Sequence, residues 1–315
     1  MTVAGAVVLV LTACGGQSST SDSSTSAAAG EELSGEIVID GSSTVEPLSS
    51  AAATLYRDEQ PGVNVTVATS GTGGGFKRFC AGETDISDAS RPIKDEEAAI
   101  CAEAGIEYTE IVIANDGLSV VVNPENDWLE CITTEQLATI WSPDSEGTVT
   151  SWSDVDPSFP DEPLALYGAG TDSGTFDYFT DAINGEEGAI RADYTPSEDD
   201  NLTVQGVAGS TGAMGFFGLS YAEENAESVK LLSVDSGAGC ITPTAATVQD
   251  GTYTPLGRPL FIYVDNAKYK DSAALRDFVD FYLTNEETIA AEALFINLTP
   301  EQRTTAQDEL ASLVG

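Results

Sequence analysis

GSSTVEP (41–47), SGTGGGFKRF (70–79) and GAGTDSGTFDYF (168–179) all combine glycine with Ser or Thr, and each lies between an apolar run and a helical pattern. A helix N-terminus exposes unpaired N–H groups and carries a partial positive charge. Glycine lets the backbone come close to a ligand, and a Ser or Thr hydroxyl adds a rotatable donor. Together these features make a seat for a tetrahedral oxyanion that needs no lysine. One such loop is an ordinary turn or cap; three in one chain point to a shared ligand. A fourth stretch, DISDASRPI (85–93), adds Ser90 and Arg91, and four of the 12 basic residues (Lys77, Arg78, Arg91 and Lys94) fall between 77 and 94. Arginine suits bidentate contact with an oxyanion. No Gly-Lys-Ser/Thr follows any of the loops, which disfavours nucleotide binding, and Gly73-Gly74-Gly75 is not a dinucleotide fingerprint.

Composition narrows the chemistry further. The chain has no His, which removes Ser-His-Asp triads, Cys-His pairs and His-ligated metals together. No catalytic residue, metal site or cofactor is expected. A formal charge of −40 with 12 Lys and Arg argues against nucleic acid, whose phosphates need basic stripes. A small anion is still compatible with that charge. Salt screens surface carboxylates over about 8 Å, whereas each charge-assisted hydrogen bond in a closed cleft contributes roughly 1.5–3 kcal/mol.

The elements that must position these loops form an α/β pattern. Strands are predicted at Ile37–Ile39, Val63–Ala68, Ile111–Ile113, Leu118–Val122, Leu164–Tyr167, Met214–Phe217, Val229–Val234 and Leu260–Val264, with a break at Asn115-Asp116-Gly117. Helices are predicted at Val45–Arg57 (Ser43 or Thr44 as N-cap), Phe76–Ala81, Asp95–Ala104, Thr134–Trp141, Thr175–Ile183, Ala273–Thr284 and Glu286–Phe295. The strand-rich stretches near 111–122 and 258–264 suit crossovers between two α/β lobes. The division is then 35–117 with 265–315 for the first lobe and 118–264 for the second. In open α/β sheets ligands sit beyond the carboxyl ends of strands, where these loops gather.

The N-terminal segment has another purpose. An apolar stretch ends in Leu11-Thr12-Ala13-Cys14, and the polar tract GGQSSTSDSSTSAAAG follows. Residues 1–14 resemble a secretory signal peptide ending in a bacterial lipobox, with Cys14 as the lipidation site and 15–34 as a flexible tether. No basic segment precedes the apolar stretch, so the native start is expected upstream. Four cysteines remain, Cys80, Cys101, Cys131 and Cys240. An even number in an exported protein predicts two disulfides with three connectivities open. Cys80–Cys101 with Cys131–Cys240 is the expected choice, because the first pair closes a local loop.

IDGSSTVEP, SGTGGGFKRFCAGETDISDASRPI, DGLSVVVNP, GTDSGTFDYFTDAI, YTPSEDDN and RPLFIYV strongly resemble the phosphate-binding proteins of Pst-type ABC transporters, from about Gly35 to Phe295. The resemblance implies a type II periplasmic-binding-protein fold, two α/β lobes joined by two crossover strands and closing on inorganic phosphate. It places Thr44 and the Val45 N–H at the ligand with Ser43 beside them, then Thr72 and Gly73 with Ser70 adjacent, and Ser173, Gly174 and Thr175 from the second lobe. Two positions depart from the best-known members: Ser90 stands where they have Asp, and Ala169 where they have Arg. Arg91 is expected to replace the missing charge, and Asp172 or Asp116 the missing proton acceptor. The resemblance further implies an extracytoplasmic, lipid-anchored monomer that serves a permease. Alternatives are a binder of sulfate or molybdate, a secreted phosphate-ester hydrolase, and a surface adhesin or phosphate sensor without a transporter.

Overall fold

Alternate residues of the strand Gly257–Asp265 point to opposite faces of a sheet, and the sequence fills both faces with apolar groups. Leu260, Ile262 and Val264 pack with Ile37, Ile111 and Phe278, whereas Phe261 and Tyr263 pack with Phe76 and Phe79. The other end of the sheet repeats the scheme. Val120 and Phe216 join Trp141 and Phe179 on one face; Val121 and Phe217 join Val204 and Val207 on the other. Burial on both faces is the signature of a sheet covered by helices on each side.

The computed structural model describes residues 32–171 and 173–314. Cys14, the tether up to residue 31 and Asp172 lie outside the described residues. Leu33–Gly315 is one compact unit. Among the described residues the strands form a connected sheet in the order Val63–Thr69, Gly35–Gly41, Ile86–Ala89, Gly257–Asp265, Tyr108–Val122, Ala213–Gly218, Ala165–Ala169, Thr195–Ser197. The outer strands at each end pair in parallel, and the central ones are antiparallel. A small sheet of Cys131–Thr133, Ser233–Asp235 and Cys240–Ile241 lies apart from it. Both expected disulfides are present, Cys80–Cys101 and Cys131–Cys240.

Tyr108–Val122 is continuous, so the expected break at Asn115-Asp116-Gly117 does not occur. Residues 108–117 pair with Gly257–Asp265, and 118–122 with Ala213–Gly218. Turn-prone Asn115 is held extended by two backbone bonds to Ile296, of 2.7 and 3.0 Å. The second difference is the helix after the glycine run, which starts at Thr72 rather than Phe76. Gly71, at φ 75°, supplies the left-handed turn into it. Gly75 then packs against the first strand so closely that a Cβ would lie 2.5 Å from Gly41 Cα.

Candidate functional site

The N-termini of helices Glu46–Glu59, Thr72–Cys80 and Gly174–Asn184 converge on one cavity of about 370 Å³. Ser43, Thr44, Ser70, Thr72, Gly73, Ser90, Arg91 and Gly174 all line it, so most of the predicted contacts are brought together. The hydroxyls of Thr72 and Ser90 are 3.0 Å apart, and the Ser90 N–H donates to Thr72 Oγ1 at 3.3 Å. Gly174 closes the cavity from the other half of the chain. A Cβ there would fall 2.3 Å from Thr44 Oγ1 and 2.7 Å from Thr44 N, so only glycine permits this approach.

The central cation is Arg258, near the start of strand Gly257–Asp265. Its Nε donates to Asp116 Oδ2 at 3.2 Å, Nη1 to the Ser90 carbonyl at 3.1 Å and Nη2 to Thr44 Oγ1 at 3.2 Å. The side chain is only 16% exposed. A guanidinium has five N–H donors, and these three bonds leave one on each terminal nitrogen. Two spare donors in one plane match an oxyanion.

Arg91, the residue expected to carry the charge, is paired with a carboxylate. It lines the cavity, but both terminal nitrogens bond Glu97 at 2.8 Å, and the guanidinium lies over the Phe76 ring. Glu97 neutralises it on its own side of the cleft. Val45 is likewise displaced: its side chain is in the core, and its N–H donates to the Ser42 carbonyl at 3.2 Å. Ser173 and Thr175 face an adjoining cavity of about 320 Å³, which Asp116 also lines. Ser173 Oγ caps the helix by accepting from the Thr175 N–H at 3.2 Å.

The carboxylates divide by environment. Burial pushes the Asp116 carboxyl up, against the opposing pull of Arg258, and its bond to Arg258 gives it an orienting task. Asp177, Asp181 and Glu187 line the oxyanion cavity itself. Burial raises Asp177 to about 6, repulsion from Glu187 adds to this, and Arg258 opposes it. Neither Arg258 nor Asp177 was singled out from the sequence. The available signal was an arginine opening RPLFIYV, the one charged residue of an otherwise apolar strand start.

A sequence model of the PBP superfamily domain matches residues 26–286. The protein SphX of Synechocystis is 48% identical over 270 residues, 86% of this chain and 80% of the relative. The phosphate-binding protein PstS of Staphylococcus saprophyticus is 38% identical over 308 residues, 98% of this chain and 92% of that protein. The crystal structure of a possible phosphate binding protein from Planctomyces limnophilus superposes with a TM-score of 0.85 at 46% identity, covering 90% of this chain and 100% of that one. The architecture, a mixed α/β fold built around one connected sheet, is that of these binding proteins.

Proposed function

Because the chain belongs to the phosphate-binding proteins of the PBP superfamily, the PstS type, we propose that inorganic phosphate is held between the Thr44, Thr72 and Gly174 helix ends with Arg258 as its fixed positive charge. It is a binding protein for transport and not an enzyme. The observation that carries the site assignment is Arg258: a mostly buried guanidinium with spare donors in a cavity rimmed by hydroxyls. Ser70, Thr72, Gly73 and Ser90 contribute from the first lobe and Gly174 from the second. Asp177, rather than Asp116, is the carboxylate assigned to the proton of hydrogen phosphate, since Asp116 is engaged by Arg258. The lobes are taken as 35–117 with 265–315, and 118–264.

Delivery to an ABC permease and anchoring of a monomer through Cys14 complete the proposal. Support for anchoring is the lipobox-like Leu11-Thr12-Ala13-Cys14 and the polar tract behind it. Calorimetry with phosphate, sulfate and arsenate tests the ligand: phosphate binding with weak or absent sulfate competition is expected, and equal affinity for sulfate would overturn the phosphate assignment. Cys14→Ser in the full precursor is expected to release the protein into the medium. Retention at the membrane would refute the anchor.

A further inference from the structure

Tyr178 stands beneath Arg258. The guanidinium Cζ is 3.4 Å from the centroid of the tyrosine ring. The ring belongs to helix Gly174–Asn184 and is 8% exposed. Its hydroxyl donates to the Pro255 carbonyl at 2.6 Å, and Pro255 is three residues before Arg258 in the chain. The ring is therefore fastened at both ends, by its helix and by the segment that leads into the arginine's own strand.

This contact bears on which way the arginine faces. A guanidinium lying flat on an aromatic ring is attracted by the ring's negative face and resists tilting out of that plane. The competing partner is Asp116, which arginine would normally engage with two parallel bonds. Only Nε reaches Asp116 here, and the terminal nitrogens point to Ser90 and Thr44. We infer that Tyr178 is a positioning residue for the oxyanion: by holding the guanidinium flat it keeps Arg258 from folding onto Asp116 and leaves one N–H of each terminal nitrogen for the ligand. The inference rests on the phosphate reading above.

Two variants separate the ring from the hydroxyl. Tyr178→Phe keeps the face and loses the bond to Pro255, whereas Tyr178→Leu loses the face. Phosphate titration is expected to find the Phe variant within about threefold of the unsubstituted protein and the Leu variant weaker by roughly tenfold or more. The Arg258 guanidinium resonances of the unsubstituted protein should carry a ring-current shift, with and without phosphate. The shift should persist in the Phe variant and vanish in the Leu variant. Its absence from the unsubstituted protein would overturn the inference even if the Leu variant failed to fold. Equal weakening in the two variants, or none in Leu, would also overturn it. If the unsubstituted protein bound no phosphate, the phosphate reading would fall, and this inference with it.

Discussion

Arg258 and Asp116 lie opposite one another in the register of two antiparallel strands, and their side chains meet at 3.2 Å. The pair is mostly buried, at 16% and 8% side-chain exposure. Desolvating both charges is costly unless their remaining bonding capacity is used. Arg258 uses its capacity on Ser90 and Thr44, and its side chain lines the cavity with two donors left over. A strand pairing has thus placed a fixed charge beside the cavity.

Arg258→Ala should reduce phosphate affinity far more than Arg91→Ala. Truncating one partner of a buried, hydrogen-bonded charge pair costs roughly 2–5 kcal/mol, about thirtyfold or more in affinity. Arg91 is satisfied by Glu97 and should cost less than about tenfold, in line with the small net worth of ion pairs that keep contact with solvent, here at 31% and 16% side-chain exposure. Calorimetry of both variants decides. A larger loss for Arg91→Ala would return the principal charge to it.

Gly174→Ala should cripple binding while leaving the fold intact. The added methyl would sit 2.3 Å from Thr44 Oγ1 and 2.7 Å from Thr44 N, and a backbone nitrogen cannot yield as a flexible side chain can. The lobes could then close only partway. We expect a large loss of phosphate affinity with little change in melting temperature, and a larger radius of gyration in phosphate by solution scattering. Unchanged affinity would mean that the Thr44–Gly174 contact is not part of the ligand-bound state.

Selectivity should depend on Asp177. An ionised carboxylate can accept the proton of hydrogen phosphate, but it meets sulfate with an unpaired lone pair and like charge. Such mismatches reach roughly 10⁴–10⁵-fold in favourable sites. Asp177→Asn should therefore narrow the phosphate-to-sulfate ratio, whereas Asp116→Asn should shift both affinities together. Burial holds Asp177 at about 6, and it accepts a proton only when ionised. Discrimination should be full above that pH and fade as pH falls through it. A ratio indifferent to Asp177→Asn would remove it from this role.

Asp88 should make stability fall with rising pH. It is fully buried, bonded by the Ser49 hydroxyl at 2.9 Å, with Tyr282 beyond that hydroxyl at 3.3 Å. Burial raises it to about 7 from 3.8, and Glu46 and Asp40 add repulsion while Ser49 opposes. Between those two pH values the folded chain keeps a proton that the unfolded chain has lost. The associated stability is complete below the unfolded value and is lost as pH rises through the folded one. Asp88→Asn keeps an acceptor for Ser49 and cannot ionise. Urea unfolding should show it gaining roughly 1–3 kcal/mol on the unsubstituted protein between pH 5 and pH 8. An equal difference at both pH values would show that Asp88 does not ionise across this range.

Much of the site was legible in the sequence because its chemistry is local. A strand, a Gly/Ser/Thr loop and a helix start are encoded within a dozen residues, and Thr44, Ser70, Thr72, Ser90 and Gly174 do line one cavity. Apolar periodicity likewise marked the strands that bury both faces, and cysteine parity the two disulfides. Local signals also misled. Asn115-Asp116-Gly117 has the composition of a turn, but long-range bonds from Ile296 hold it in a strand. Arg91 was close in sequence to the loops, and a neighbour six residues on, Glu97, claims its charge. Only the tertiary structure could bring Arg258 to Thr44 and Ser90, which are 214 and 168 residues away. Composition and periodicity determine which segments can become strands, helix starts and anion-friendly loops, since those preferences act over a few residues. Which cation stands at the centre with donors to spare is decided by what lies next to it in space, and here that was set by the register of two distant strands.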